Sequence, residues 1–380
     1  MATASRGPLG WIVPLIVLTG SLFGLYRLVL ERVEPESTPL ADEVEPTQPL
    51  RPEASAVIVE LDEAGAGTSF AVVVLDSSGG GTAVLLPVNT MVEIPGFGLD
   101  PLARAIDVGG PPLAALSIAN LLSLDVDHVV TVGPGDWSTL AGTAGAVTVD
   151  NPAPVEVADA NGRITVLWPA GPQRLEPADV PAFLAARSLA ETELDRLVRH
   201  QRFWLAFLEA RRGVVGVVSD PAADSSAFLD EAASRLDDLD FRILPVTALG
   251  SRSDLYSIDA EGLDDLLATL ALAEGREPEE RLTVQILNGV GTPGLAVALT
   301  DRLVPAGVLV QLTGNALVFD HEVTQVVYYD DGDLRAALGI RDLLGVGEVV
   351  KQRDALDVVD VTIVIGRDLL PVLQSPVPRG

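Results

Sequence analysis

Short apolar runs alternate with longer helical patterns between residues 54 and 275. Runs rich in Val, Ile and Leu are typical of buried strands, whereas apolar positions that recur every three to four residues indicate helices. The predicted strands are 56–61, 70–75, 82–86, 128–132 and 164–168. The predicted helices are 111–123, which Pro111 and Pro112 open, 177–188 and 191–211. This mixture of strands and helices predicts a layered α/β domain with a mixed sheet over 54–275.

A smaller pattern of the same kind follows a polar, acidic stretch at 276–282, which we interpret as a linker. The predicted strands are 283–288, 308–313, 324–329 and 361–366, and the predicted helices are 294–305 and 332–344. The pattern indicates a second, small α/β domain over 283–370. Residues 371–380 contain several Pro and Gly breakers and are predicted to form a frayed tail.

The N-terminal part of the chain has a different pattern. Residues 9–26 contain no charged residue, and a helix of this length spans roughly 27 Å, about one hydrocarbon core. Because no convincing cleavage site follows, we predict one transmembrane signal anchor at 9–30, behind a short cytoplasmic tail at 1–8. Residues 31–53 carry seven acidic residues and five prolines, which predicts an extended linker. The long acidic C-terminal part is then expected outside the cytoplasm.

The composition excludes several kinds of chemistry. The formal net charge of −29 argues against a nucleic-acid partner, because such a partner requires a basic face. The absence of cysteine excludes disulfides, thiolate nucleophiles and cysteine-based zinc sites. The three histidines, His128, His200 and His321, are far apart in the sequence. We therefore predict no metal site built on histidine.

The predicted helix 191–211 carries the clearest candidate for ligand chemistry. On a helical wheel one face is apolar and consists of Leu194, Leu197, Val198, Leu205 and Leu208. Arg196 and Arg199 project from the other side, one turn apart, together with Phe203 and Phe207. Because a guanidinium group binds phosphate oxygens bidentately, this side would suit a phosphorylated head with an apolar tail. The alternative is that the arginines form ordinary salt bridges with neighbours such as Glu193.

A glycine pattern at 289–294, G-x-G-x-x-G, follows a predicted strand and opens a predicted helix. In a dinucleotide-binding fold, the next strand should end in an acidic residue. Here that strand ends in Thr313-Gly314-Asn315, and the element order is strand, helix, strand, strand. The sequence therefore argues against a nucleotide site. It also has neither a G-x-S-x-G elbow nor a Walker A loop.

The segment 85–96, LLPVNTMVEIPG, resembles a signature of the LytR-CpsA-Psr family of cell-envelope phosphotransferases, which reads S-I-P-R-D-T-x-V-x-I-P-G. The frame of the signature is retained, but Val88 replaces the arginine and Asn89 replaces the aspartate. An arginine there would bind a pyrophosphate, and a carboxylate would help to hold a divalent cation. Valine can do neither. The resemblance thus implies that part of the phosphotransfer chemistry is missing.

Further motifs resemble the family in the same order along the chain. The block ELDRLVRHQ at 193–201 is similar to D-F-x-R-x-x-R-Q, and Arg187 matches the second arginine of an upstream Y-x-R-x-R. The sequences VQILNGVG at 284–291 and DVTIVIGRD at 360–368 resemble the two ends of a LytR C-terminal domain. The resemblance implies an LCP-like domain, with LCP standing for LytR-CpsA-Psr, followed by an accessory LytR C-terminal domain.

Active members of the family, as the resemblance implies, transfer a glycopolymer from a polyprenyl pyrophosphate lipid to peptidoglycan with clustered arginines, aspartates and Mg²⁺. Residues 67–70 and Ala185 lack further arginine and aspartate positions of the family. Removal of one well-placed donor commonly costs on the order of 10²- to 10³-fold in rate. We therefore predict no catalytic residue and no metal ligand. A residual polyprenyl-phosphate site is predicted at Asp62, Arg187, Arg196, Arg199 and Gln201.

We interpret the chain as a single-pass protein of the bacterial cell membrane, with its bulk extracytoplasmic. It is predicted to be non-catalytic, to need no cofactor, and to bind a polyprenyl-phosphate lipid, peptidoglycan or an active LCP paralogue. One alternative is a divergent phosphotransferase with Mg²⁺ that uses Asp62, Arg187, Arg196 and Arg199. Another is a purely structural envelope scaffold. A solid core between helix 191–211 and the sheet would favour the scaffold, and an apolar cavity at the arginines would favour ligand binding.

Overall fold

The computed structural model describes residues 52–141, 144–189, 191–212, 224–250, 254–273, 281–352 and 359–375. The first domain contains β1 (Ala54–Leu61), β2 (Gly67–Leu75), β3 (Gly81–Leu86), β4 (Met91–Ile94), β5 (Gly98–Pro101), α1 (Ala103–Leu122), β6 (His128–Val132), α2 (Trp137–Ala141), β7 (Val147–Asn151), β8 (Val155–Ala158), β9 (Ile164–Trp168), β10 (Gly171–Leu175), α3 (Val180–Ala185), α4 (Glu193–Arg212), α5 (Asp224–Ser234), β11 (Leu239–Ile243), β12 (Val246–Ala248), β13 (Tyr256–Ile258) and α6 (Ala260–Ala273). The second domain contains β14 (Thr283–Asn288), α7 (Leu295–Leu303), β15 (Leu309–Asn315), β16 (Gln325–Tyr328), α8 (Leu334–Leu344), β17 (Glu348–Lys351), β18 (Val361–Ile365) and α9 (Leu370–Leu373). Outside the described residues lie the predicted tail 1–8, the predicted anchor 9–30 and most residues of the predicted linkers 31–53 and 276–282.

A five-stranded mixed sheet forms the centre of the first domain, in the order β11-β3-β2-β1-β6. The three middle strands are antiparallel, and the outer strands β11 and β6 run parallel to their neighbours. Side chains of β1 alternate between the two faces, so Ala56 and Ile58 belong to one core and Val57 and Val59 to the other. Helices α4 and α5 cover the first face, and α1 and α6 cover the second. The predicted layered α/β architecture is confirmed.

Helix α1 is longer than predicted because two helices meet in it. Gly110 has φ 72° and interrupts the helical backbone, and Pro111 and Pro112 open the second part as predicted. Among the described residues, α1 alone is long and apolar enough to cross a membrane, by length and composition. More than half of its most apolar stretch is buried inside the domain. Packing against the central sheet accounts for this hydrophobicity.

Helix α3 is shorter than the predicted helix 177–188, since Ala186 already adopts an extended conformation. The predicted strand 164–168 exists, but it pairs with β8 in a two-stranded hairpin and does not join the central sheet. The periodicity missed the short strands β4, β5, β7, β8 and β10 to β13 and the helices α2, α5 and α6. Most of the missed strands have three to five residues, which is too short for a clear alternation.

The second domain is a smaller α/β unit with a sheet in the order β15-β14-β18-β16-β17. All neighbouring strands are parallel except β16 and β18. Its predicted strands and helices are present, and strand β17 and helix α9 are additions that the pattern did not predict. Helix α9 corrects the predicted frayed tail at its start, because Leu373 packs into the core of this domain. Val284, Ile286, Val361 and Ile363 of the central strands pack with helices α7 and α8 in a separate core.

The two domains are docked through polar contacts at the edge strand β15. The side-chain amide of Asn120 on α1 donates to Val310 O and accepts from Val310 N, both at 2.8 Å. The hydroxyl of Thr313 accepts from Gly96 N at 3.0 Å and donates to the carboxylate of Glu93. Burial at this contact raises the pKa of Glu93. Because these groups satisfy the free edge of the second sheet, they hold it against the first domain.

Candidate functional site

The segment that resembles the family signature forms a tight turn followed by the β4–β5 hairpin. Thr90 closes the turn, because its N–H and its hydroxyl both donate to Pro87 O, at 3.1 and 2.9 Å. Gly96 has φ 83° between the two strands of the hairpin, a conformation that glycine adopts without strain. Val88 is buried, and its N–H points toward the carboxylate of Glu193 at 3.4 Å. Thr90 and Gly96, which the segment shares with the family signature, thus shape the turn and the hairpin. The turn places Val88 beside helix α4.

Helix α4 buries the face that the helical wheel assigned to ligands. Arg196, Arg199, Phe203 and Phe207 are at most 2% exposed. By contrast, three residues of the predicted apolar face, Leu194, Val198 and Leu205, are only partly buried. The side of the helix that was predicted to be opposite the apolar face is therefore the more completely buried one, and the alternative that Arg196 forms a salt bridge with Glu193 is confirmed. Carboxylates and main-chain carbonyls inside the domain satisfy the guanidinium groups, so arginine can be buried here.

Arg196 is held by a bidentate ion pair with Glu193. The Nη2 atom of Arg196 lies 2.6 Å from Oε1 of Glu193, and its Nε lies 2.9 Å from Oε2. Its remaining donors reach Thr68 O at 2.8 Å and Leu184 O at 3.2 Å. Arg187 approaches the same carboxylate from the surface, with Nη2 at 3.2 Å from Oε2, and is itself 49% exposed. Glu193 thus lies between two guanidinium groups.

Arg199 is enclosed in the same way by a second glutamate. Its Nε and Nη2 atoms each lie 3.0 Å from an oxygen of Glu191. The other donors reach Ala186 O at 2.5 Å and Phe183 O, and the guanidinium lies over the Phe183 ring. Because its donors are directed to protein oxygens, Arg199 fixes the chain between α3 and α4.

His200 and Glu60 complete this buried polar cluster. His200 Nε2 lies 2.8 Å from Leu184 O and 3.1 Å from Nη1 of Arg196, and its Nδ1 lies 3.2 Å from Ser69 Oγ. Burial and the nearby charge of Arg196 lower the pKa of His200 well below its usual value, so the ring is neutral. Burial raises the pKa of Glu60 to about 7, an effect that Arg196 partly offsets. Among the described residues, Oε1 of Glu60 has no hydrogen-bond partner.

Aromatic side chains fill the space between α4 and the central sheet. Trp137 packs edge-on against Phe203 and Phe207, with ring centroids 5.3 and 5.7 Å apart, and Trp204 lies beside them. The gap that remains between Trp204 and the sheet has a volume of about 10 Å³ and apolar walls. By this measure a cavity needs roughly 10–15 Å³ and polar partners to hold one water molecule, so this apolar gap is at most the size of a single water. In this conformation it offers no room for a lipid chain.

The predicted site residues do not all converge. Arg187 and Arg196 meet at Glu193, and Arg199 is next to them in its own ion pair. The carboxylate of Asp62 accepts from the N–H groups of Ala64 and Ala66 in its own turn, at 2.8 and 2.9 Å. Gln201 is half-buried further along α4. Within the part of the chain that the structure describes, no three His, Asp or Glu side chains are grouped to hold a metal ion.

Two residues of this buried polar cluster, Glu60 and Glu191, were not predicted from the sequence, although the sequence contains a signal for Glu60. Glu60 occupies the same strand face as Ala56 and Ile58, so the period of two along β1 already places this carboxylate in the core. The ion pair between Glu191 and Arg199 had no such signal, because Glu191 lies before the start of α4, where helical periodicity does not apply.

Comparison with known proteins agrees with this architecture. Residues 281–369 match the family described as LytR cell envelope-related transcriptional attenuator. The probable cell wall biosynthesis protein LcpB of Corynebacterium glutamicum is 30% identical over 127 residues, which cover 33% of this chain and 30% of LcpB. The chain therefore matches about a third of the length of this curated relative. A protein from Streptococcus agalactiae has a similar fold, with 12% identity, a TM-score of 0.50, and coverage of 60% of this chain and 90% of its own.

TagT of Bacillus subtilis, a LytR-CPS2A-psr family protein solved with bound octaprenyl pyrophosphate lipid, is 17% identical with a TM-score of 0.45. The alignment covers 61% of this chain and 95% of TagT. The family match and the relationship to LcpB confirm the resemblance that the motifs indicated. Residues 281–369 thus form a domain of the LytR C-terminal type, and part of the chain is similar to a probable cell wall biosynthesis protein.

Proposed function

We propose that this chain is a non-catalytic cell-envelope protein that acts by binding a cell-wall polymer or an active LCP paralogue through its surface. The observation that carries the proposal is the closed arginine network. Arg196 and Arg199 are 2% and 1% exposed and are paired with Glu193 and Glu191 inside the domain. A transferring phosphoryl group needs such donors free and directed at the reacting oxygens.

The donor set also does not fit Mg²⁺, the cation that the family resemblance implies. Asn89 and Ser69 stand where carboxylates are expected, and the Ser69 hydroxyl is already bonded to His200. Glu193 and Glu191 are neutralised by arginine. Mg²⁺ requires several oxygen ligands in octahedral geometry, usually including a free carboxylate. We therefore derive no metal-dependent step, and the divergent phosphotransferase is the weaker alternative.

Among the three predicted partners, the geometry disfavours a polyprenyl-phosphate lipid. Its phosphate would have to displace Glu193 from Arg196, and its chain would have to displace the aromatic side chains around Trp137 and Phe203. Peptidoglycan or a paralogue would bind to the surface of the domain, so its binding would displace neither Glu193 nor the aromatic side chains. The predicted anchor at 9–30 would keep the protein at the membrane where both are found.

Purification of the full-length chain from its native envelope in mild detergent, followed by mass spectrometry, tests this proposal. We expect far less than one polyprenyl lipid per chain, together with wall fragments or an LCP paralogue. The matched control is Arg174→Ala, since Arg174 is exposed and pairs with the exposed Glu176. A polyprenyl lipid bound near one per chain, and lost in Arg187→Ala but not in Arg174→Ala, would contradict the proposal. The solid core between α4 and the sheet also fits the scaffold alternative, and a protein that retains none of the three partners would replace the proposal with that alternative.

A further inference from the structure

The hairpin of β8 and β9 exposes an apolar strand to solvent. Residues 161–167 are all exposed, and Ile164, Val166 and Leu167 are 58%, 46% and 45% exposed. Strand β9 has no charged residue and is rich in β-branched and aromatic side chains, which favour strands. Within the part of the chain that the structure describes, β9 pairs with β8 alone, so its other edge is free. A free, apolar and uncharged edge is a template for pairing with another strand.

Hydrogen bonds on the outer side of β8 show which groups of β9 point toward the free edge. Glu156 N–H donates to Ser188 Oγ at 2.9 Å, and Glu156 O accepts from Leu189 N–H at 3.0 Å, so both groups of Glu156 point away from β9. Glu156 is opposite Val166 in the hairpin. In an antiparallel pair, two opposite residues either bond to each other or both point outward. The main-chain N–H and C=O of Val166 therefore point outward as well.

Ile164 has the same orientation, because the direction of the main-chain groups repeats every two residues along a strand. The turn of the hairpin agrees with this assignment. Asp159 N–H donates to Arg163 O at 3.0 Å, so the pair next to Ile164 points inward. Ile164 and Val166 thus each present one donor and one acceptor on the free edge of β9, on either side of Thr165.

A second copy of the same strand complements this edge. When two copies of β9 run antiparallel with Thr165 opposite Thr165, Ile164 of each copy is opposite Val166 of the other. The outward donors and acceptors of both copies then bond to each other, and β-branched side chains contact each other across the strands. Arg163 is opposite Leu167 in this register, so no like charges face each other.

We propose that the free edge of β9 binds a second copy of this chain, which adds its own β9 to form a four-stranded antiparallel sheet in the order β8-β9-β9-β8. A second copy is the occupant because the strand is self-complementary about Thr165 in both hydrogen bonds and apolar side chains. The acidic Glu156 and Asp159 lie one strand further, about 10 Å from the other copy, where salt largely screens their charge. The inference uses a surface apart from the arginine network and does not depend on the proposed function.

The contact is small, which determines how it is measured. Two strands of this length bury well below the roughly 1,000 Å² that a stable dimer needs, so we expect the association to be weak and reversible. A covalent trap that depends on the register is therefore a sharper readout than the size of the protein in solution.

Disulfide trapping of the full-length chain in detergent tests the proposal. The natural chain has no cysteine, so one introduced cysteine reports one position. The two copies of Thr165 would form a pair without hydrogen bonds, with Cα atoms about 4.5 Å apart, which a disulfide can bridge. The two copies of Arg163 would lie about 14 Å apart, too far for a disulfide. With a mild oxidant such as diamide, we expect Thr165→Cys to form a covalent dimer at least about tenfold faster than Arg163→Cys.

A mixed sample tests the register. Ile164→Cys and Val166→Cys would each lie two residues from their own counterpart, but opposite each other at about 5.5 Å. With a size tag on one variant, we expect covalent dimers that contain one chain of each. Either variant alone should form far fewer covalent dimers. Covalent dimers that form as readily in the separate variants as in the mixture would contradict this register.

Val166→Pro in the Thr165→Cys protein tests the free edge itself. Proline removes the outward N–H of Val166 and leaves the hydrogen bonds between β8 and β9 in place. We expect trapping to fall to the level of Arg163→Cys, with tryptophan fluorescence showing that the domain is still folded. Trapping that Val166→Pro leaves unchanged, or equal rates for Thr165→Cys and Arg163→Cys, would overturn the proposal.

Discussion

Replacement of Arg196 by alanine is expected to destabilise the first domain by about 3–5 kcal/mol, because it leaves the buried Glu193 without its main partner. Thr68 O and Leu184 O lose their donors at the same time. Trp137, Trp168 and Trp204 belong to this domain, so urea unfolding followed by tryptophan fluorescence reports its stability.

Two further variants separate the ion pair from general damage. Arg174→Ala removes an exposed pair and should change the free energy of unfolding by about 1 kcal/mol or less. The double variant Arg196→Met with Glu193→Leu removes both charges and should recover much of the loss, because no unpaired charge remains. An Arg196→Ala protein as stable as the wild type would show that the network is not structural.

Glu60→Gln is expected to stabilise the protein increasingly as the pH rises from about 4.5 to 7. The pKa of Glu60 is about 7 in the folded protein against an ordinary value of 4.5, so the folded state retains the proton that the unfolded state loses. The stability that this carboxyl contributes is complete below pH 4.5 and is lost as the pH rises to 7. The loss amounts to about 3 kcal/mol, and glutamine avoids it.

The measurement is the difference in unfolding free energy between Glu60→Gln and the wild type at several pH values. His200, whose pKa is lowered, contributes a slope of the opposite sign below its ordinary pKa of 6.5, but it does so in both proteins and cancels in the difference. Glu63→Gln, on the exposed turn after β1, is the control and should show no such trend. A difference independent of pH would mean that folding does not shift the pKa of Glu60.

Strands and helices were predicted correctly where the hydrophobic periodicity and the length of the segment indicate the same type of element. The strands β1, β2 and β3 are long apolar runs, and helix α4 has a clear start and end, so each was placed within a few residues. The second domain was predicted in similar detail, because most of the connections between its strands and helices contain a glycine. Burial of one or both faces produces these patterns directly, which makes them readable without a structure.

The candidate site was harder to predict, because its burial depends on partners from distant parts of the chain. Arg196 and Arg199 are polar, so a helical wheel assigns them to the surface. Their burial follows from carbonyls of α3 and β2 and from two glutamates, none of which periodicity can place. The resemblance pointed to Arg196 and Arg199 as candidates, but only the three-dimensional contacts show that Glu193 and Glu191 are paired with them.

A transfer assay with the purified full-length chain tests the central claim most directly. The chain would be reconstituted with Mg²⁺, a polyprenyl-pyrophosphate-linked glycan and peptidoglycan, and glycan joined to peptidoglycan would be measured. We expect no product above a sample without protein, and no difference between the wild type and Arg187→Ala. Product formed by the wild type and lost in Arg187→Ala would contradict the claim that this arginine network no longer performs phosphotransfer.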